Sequence, residues 1–270
     1  MNAKTVVMTA AAIAVAVVAP RIVAGAEDEA VVYHDMGGMQ KAPYGPYPEE
    51  RAVMAQTSTL VVFTVPPHFH QPVHHHDAEQ VSAAIAGALD YSVGGVVHHL
   101  GAHGAVLPAS DVEHGFSNDS ERPAVMIEYS PLRRPEWVAP HPSVPRLPQS
   151  AEPAPLPAGA VAAIDFDRAA DGWHVEKSGA RSKTITGKTI QATFWDLPRR
   201  GASADIAATP SSRERLAFVL EGRLASGAGS TKRDIGPEML VEIGPSARSA
   251  MLSSSGDVPA LIVVFEALVH

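Results

Sequence analysis

Cysteine is missing from this chain of 270 residues, which excludes a disulfide scaffold, a cysteine nucleophile and any thiolate zinc site. Any metal must therefore be held through nitrogen and oxygen. A surplus of positive charge is missing too: 21 Lys and Arg stand against 29 Asp and Glu, a formal net charge of -8. That balance argues against nucleic acid or an anionic membrane as a partner. Aromatic residues are scarce, at 6% of the chain, which weighs mildly against a binding pocket walled by rings. An apolar run, "VVMTAAAIAVAVVA" at residues 6–19, is too short to span a bilayer. With Lys4 before it and Ala24-Gly25-Ala26 after it, the run reads as a cleavable secretory signal over residues 1–26. Cleavage would remove Lys4 and Arg21 and no acid, making the mature chain still more negative. The expectation is a periplasmic or secreted protein, soluble and free of the membrane after cleavage, because no cysteine is present to carry a lipid.

What is present is a succession of short strand signals. "TLVVFTV" at residues 59–65 reads as a strand, and "AVL" and "AVMIEY" follow, punctuated by turns at Gly94-Gly95, "GAHG" and "SNDSERP". This is the rhythm of an all-β barrel or sandwich. Residues 133–160 carry eight prolines and little apolar pattern, so they lack ladder donors and read as a polyproline-like linker. The expected division is a first unit over 27–132, a linker over 133–160 and a second unit over 161–270.

The two units repeat. "EQVSAAIAGALDYSVGGVVHHLGAHG" from Glu79 aligns with "ERLAFVLEGRLASGAGSTKRDIGPEM" from Glu214, and Gly87, Gly94 and Gly101 fall on Gly222, Gly229 and Gly236. Glycines matched at several turns point to shared backbone needs, a positive φ or a tight approach.

The first unit carries "HFHQPVHHHDAEQ", with five histidines at 68, 70, 74, 75 and 76. Side chains two residues apart share a face of a strand. His74, His76 and Gln80 obey that parity, while His75 and Glu79 would point the other way unless a turn or bulge intervenes. His114, in "LPASDVEHGFSN", follows a strand-turn-strand excursion that returns the chain beside its start, and is the natural further ligand. His68 and His70 are expected at a barrel mouth or in solvent, and His98, His99 and His103 on the surface.

The spacing His74-x-His76-x3-Gln80-x6-Gly87 resembles the first signature of the cupin superfamily, and residues 108–118 around His114 resemble the second, with Pro108 about one residue early. "HHHDAEQ" and "SDVEHG" look most like small cupins with an H-x-H-x-x-E-Q motif, a group that includes enzymes linearising unsaturated uronates. "EYSPLRRPEW" is similar to the Ser-Pro-x-Arg ending of that group. The resemblance implies two tandem cupin jelly-roll barrels and one divalent ion, Zn, Fe, Mn or Ni, since imidazole and amide oxygen discriminate weakly among them. It implies His74, His76, Gln80 and His114 as ligands, with Glu79 the fallback for Gln80. Pairing of barrels into a homodimer is implied by resemblance alone. In the second unit, Thr209, Ser211, Arg215 and Ser249 stand at the ligand positions. None is a good ligand and an arginine repels a cation, so that barrel is expected to be metal-free.

An ion held by neutral ligands acts as a Lewis acid on a bound carbonyl or hydroxyl. The expected function is non-oxidative isomerisation, ring opening or lyase chemistry on a small carbohydrate-derived acid, with Arg133 assisting capture. An Fe-dependent dioxygenase and a non-enzymatic sugar- or metal-binding protein are the alternatives. Glu128 and Tyr129 on "AVMIEY" are the candidates for acid or base, and alternation turns one of them inward.

Overall fold

The computed structural model describes residues 31–44, 47–132, 161–206, 213–227, 232–245, 247 and 250–268. The expected signal segment and linker lie outside these residues, as do Arg133, Thr209, Ser211, Gly229 and Ser249. Among the described residues every regular element is a strand. The first half contains β1 (Val31–Asp35), β2 (Ala42–Tyr44), β3 (Tyr47–Met54), β4 (Thr59–Val65), β5 (Phe69–His70), β6 (Val81–Ala86), β7 (Ala88–Val93), β8 (Val96–Gly101), β9 (Gly104–Pro108), β10 (His114–Asn118) and β11 (Ala124–Ser130). The second contains β12 (Val161–Asp165), β13 (His174–Val175), β14 (Arg181–Thr186), β15 (Ile190–Leu197), β16 (Ser203–Asp205), β17 (Arg215–Glu221), β18 (Leu224–Ser226), β19 (Arg233–Ile235), β20 (Met239–Ile243), β21 (Met251–Ser254) and β22 (Ala260–Ala267).

Each barrel faces a four-stranded sheet across a seven-stranded one. The first pairs β5-β10-β7-β8 with β12-β9-β6-β11-β4-β3-β2, and the second pairs β16-β21-β18-β19 with β1-β20-β17-β22-β15-β14-β13. The two large sheets pack back to back through one apolar layer, in which Leu60, Val62, Ile127 and Tyr129 meet Phe218, Val263 and Phe265. Strands β4 and β22 are buried on both faces, which is why "TLVVFTV" and "ALIVVFEA" read as nearly continuous apolar runs. Their alternate residues line the lumens: Val61, Phe63 and Val65 in the first barrel, Ile262 and Val264 in the second.

The sheets do not follow the covalent halves. β1 pairs with β20 of the second barrel, and β12 pairs with β9 of the first. Because β9 and β20 are equivalent under the 135-residue offset, the exchange is reciprocal. It places residues 31–35 in the sheet of the second unit and residues 161–165 in that of the first, across the division expected from sequence.

Of the matched glycines, Gly87 (φ 74°) and Gly222 (φ 75°) do take the left-handed conformation. Each follows a bulge, where the partner strand skips Ile85 or Leu220. A Cβ would stand 2.9 Å from the Cα of Ala124 at Gly87 and 2.6 Å from the carbonyl oxygen of Pro259 at Gly222. Gly94 also has a positive φ. Gly101 and Gly236 do not, and space is open around Gly101, so neither the dihedral nor crowding requires that glycine.

Candidate metal centre

Residues 71–80 form no regular strand, so the parity that grouped His74 with His76 is not what brings them together. His74 is fixed instead by a two-way backbone bridge to β10: its N–H donates to the His114 carbonyl at 2.9 Å and its carbonyl accepts from the His114 N–H at 2.7 Å. Gly115 makes room for this, since a Cβ there would lie 3.3 Å from the carbonyl oxygen of Gln71. The imidazoles of His74, His76 and His114 converge, with one nitrogen of each inside a span of 4.8 Å. Their ring centroids lie 4.7–5.2 Å apart.

Two of the rings are oriented by backbone. His74 Nδ1 lies 3.0 Å from the Pro72 carbonyl and His114 Nδ1 lies 2.8 Å from that of Val112. A carbonyl can only accept, so each Nδ1 carries the proton and each Nε2 is left unprotonated, the tautomer that a metal ligand needs. Burial holds both histidines below the ordinary imidazole range, His114 well below it, with the neighbouring His74 and His76 adding to the effect at His114. They are therefore neutral donors at neutral pH.

Gln80, immediately before β6, reaches the same place. Its Nε2 lies 3.1 Å from His114 Nε2 and donates to the Tyr91 hydroxyl at 2.9 Å, while its Oε1 is buried without a partner. An unsatisfied buried acceptor costs about 1–3 kcal/mol. The two amide orientations differ only in hydrogen bonding, and a half-turn carries Oε1 to the place beside His114. Three converging imidazoles and an amide oxygen beside them fit a divalent cation.

Glu79 is elsewhere. Buried at 3% exposure, its carboxylate accepts from the backbone N–H groups of Lys188 (3.0 Å) and Thr189 (2.6 Å) and from the Thr189 hydroxyl (2.8 Å), capping the β14–β15 turn of the opposite barrel. It is not available as the fallback ligand. The equivalent residue, Glu214, makes the mirror contact by accepting from Thr57 N–H (3.0 Å) and from the Ser58 hydroxyl on the β3–β4 turn. In "EQ" and "ER" alike, the first residue clamps the other barrel and the second turns into its own. Arg215 lies there paired with Glu266 at 3.3 Å and donates to the Ile206 carbonyl at 2.8 Å.

Alternation separates the two acid–base candidates. Glu128 points into the lumen, accepting from Ser82 Oγ at 3.0 Å and lying 3.4 Å from Gln80 Nε2. Tyr129 points into the layer between the barrels, stacked on Phe265 at 4.9 Å, and is not part of the site. Burial pushes the Glu128 carboxyl up to about 7.

A family model for the cupin domain matches residues 61–129. Over those residues the chain is similar to a cupin domain. The solved structures similar to the chain include AerE from Microcystis aeruginosa (TM-score 0.62, 14% identity, covering 85% of this chain and 96% of that one). They also include Bacillus subtilis oxalate decarboxylase with its Mn(II) centres (0.63, 11%, 86% and 76%) and salicylate 1,2-dioxygenase from Pseudoaminobacter salicylatoxidans (0.57, 15%, 78% and 71%). At these identities the likeness concerns the fold, and both barrels are cupin jelly rolls. No curated protein sequence matches the chain.

The cupin lumen holds groups that sequence reasoning missed. Ser82 and Tyr91 link Gln80 to Glu128, and Ser82 was findable as the next even position after Gln80. Glu50 on β3 is 4% exposed, and burial together with the charge of Glu128 pushes it up to about 8. It sits in "YPEERAVM", where a second acid beside Glu49 gave no hint of burial. Phe63, Phe69, Phe116 and Tyr91 cluster here, with Phe116 5.8–6.3 Å from each of the others, and Tyr91 stacks beside His114 at 6.1 Å. Four of the chain's fifteen aromatic residues thus gather at the site, which removes the compositional argument against an aromatic pocket. Among the outer histidines, His68 and His70 are exposed and face Glu121 and Asp119. His103 is no surface residue: it ties the barrels together between Asp167 (3.3 Å) and Glu221 (2.9 Å).

Proposed function

We propose that this protein is a metal-dependent cupin enzyme performing non-oxidative acid–base chemistry, isomerisation, ring opening or elimination, on a small oxygen-rich acid. The observation that carries the reading is the chain from His114 through Gln80 and Ser82 to Glu128, which puts a buried carboxyl next to the candidate ligands. A divalent ion at His74, His76, His114 and Gln80 supplies Lewis acidity toward a bound carbonyl or hydroxyl. Glu128, poised near neutral, gives or takes a proton at its carboxyl oxygen. The Ser82 hydroxyl, donating to that carboxyl, holds it in place. Burial keeps Tyr91 far above its ordinary range, so it remains a phenol that can donate. The segment at residues 1–26 supports export, and the acting partner is a small molecule.

A second reading, a dioxygenase acting on an aromatic or diketone substrate, is favoured by the aromatic wall of Phe63, Phe69, Phe116 and Tyr91. The two separate in one experiment. Protein loaded in turn with Zn, Mn, Ni or Fe is incubated with unsaturated uronates and related keto acids in D2O, with oxygen uptake recorded. The expected result is solvent deuterium in the product without oxygen consumption. Glu128→Gln should keep its metal stoichiometry and lose about 10²–10⁴-fold in turnover. Oxygen uptake coupled to loss of an aromatic or diketone substrate would replace the first reading with the second. Tight sugar or metal binding without turnover would leave a binding protein.

A further inference from the structure

Between β9 and β10 the chain makes a reversed step. Asp111 takes φ 61°, the left-handed region that an L residue with a Cβ enters at a cost and that Asp and Asn tolerate better than most. The two residues at this step contact two of the three converging histidines, one at its backbone and one at its ring. The Asp111 N–H donates to the carbonyl of His76 at 2.7 Å. The carbonyl of the next residue, Val112, receives the Nδ1 proton of His114 at 2.8 Å. Val112 packs against the lumen cluster and its own N–H reaches back to the Ala109 carbonyl at 3.4 Å, which closes the turn. The Asp111 side chain points away from all this. It is 74% exposed and its carboxylate lies 3.8 Å from His75, a contact between two exposed groups.

We infer that Asp111 is a positioning residue for the metal centre, acting through its left-handed backbone rather than its carboxylate, and that the 109–113 turn sets the separation of His76 and His114. This rests on the triad being a metal site. In a conventional right-handed or extended conformation, the same N–H and the following carbonyl could not face His76 and His114 at once. A residue that resists the left-handed region would open the turn and move one imidazole relative to the other. Strain at a functional site of this kind persists because the surrounding contacts fix it.

The test is a titration of the full chain with Co(II), whose visible bands report ligand geometry, followed by competition with Zn(II). Four variants are compared with the wild type: Asp111→Gly, Asp111→Asn, Asp111→Ala and Asp111→Val. Glycine and asparagine should bind within about threefold of wild type with unchanged bands, because both accept the left-handed conformation. Valine should lose about tenfold in affinity and shift the bands, with alanine between, so that the series reads out even if valine folds poorly. Wild-type affinity and bands in Asp111→Val, with only a lower melting temperature, would make the residue merely structural and overturn the inference. Equal weakening in Asp111→Gly and Asp111→Asn would transfer the role to the carboxylate and also overturn it. A wild type that binds no better than His114→Ala would instead remove the metal-site reading, and this inference with it.

Discussion

Replacing Glu79 by alanine separates two roles that adjacent residues could share. Glu79 makes three charge-assisted hydrogen bonds to Lys188 and Thr189, and Gly187 lies so close that a Cβ there would be 2.5 Å from the Glu79 carboxylate. Charge-assisted bonds contribute about 1.5–3 kcal/mol each. Water can reach the partly exposed turn once the carboxylate is gone and returns part of that, so the net loss should be about 3 kcal/mol. For a chain of this size each kcal/mol lowers the melting temperature by about 2–4 °C, giving a drop of about 10 °C. Because the clamp joins the barrels, its loss lets them unfold separately, so the transition is followed by both calorimetry and far-UV circular dichroism. Metal stoichiometry, measured by elemental analysis on the folded variant, should be unchanged. Gln80→Ala should show the opposite pattern, with weakened metal retention and little change in melting. A folded Glu79→Ala protein that has lost its metal would refute the division of labour and restore Glu79 as a ligand.

Three further outcomes follow from the same geometry. His74→Ala, His76→Ala or His114→Ala should abolish stoichiometric metal, while His68→Ala and His75→Ala, at exposed positions, should retain it by elemental analysis. Glu50, raised from 4.5 to about 8, keeps a proton in the folded state that the unfolded chain releases above about pH 4.5. Stability should therefore fall as pH rises from about 4.5 to about 8, by at most about 5 kcal/mol from this group. Urea midpoints at pH 5.5 and 8.5 in chelator should show that fall in the wild type and a smaller one in Glu50→Gln, where Glu128 alone remains; equal slopes would count against a buried acid at position 50. Gly87→Ala, forced to a positive φ against Ala124, should destabilise by about 2 kcal/mol or more in denaturant unfolding, whereas Gly101→Ala, in open space, should be close to neutral.

Much of the site was legible because its signals are local. The spacing of His74, His76, Gln80 and Gly87 and the position of His114 come from residues close in sequence, and alternation along β11 predicted that only one of Glu128 and Tyr129 enters the lumen. Alternation could not say which, because β11 is buried on both faces and its own Met126 and Ile127, on opposite faces, are equally apolar. Glu50 stayed hidden for a related reason: an acid in a strand is ordinarily solvated, and only the closing of β3 against β4 puts it inside. The argument from scarce aromatic residues failed because composition is an average over the chain, whereas three phenylalanines and a tyrosine converge on one lumen.

The sequence by itself determined the β architecture, the repeat at an offset of 135 and the histidines that could converge, since each of these depends on periodicity and spacing within one segment. Tertiary structure decided the rest. The reciprocal crossing of β1 and β12, the clamps of Glu79 and Glu214 on opposite turns, and the tie from His103 to Glu221 all join residues more than 50 positions apart. No local pattern encodes such pairs. They exist because two sheets, each too apolar on its outer face to stand in water, bury that face against each other and bring the polar residues at its margins within hydrogen-bonding reach.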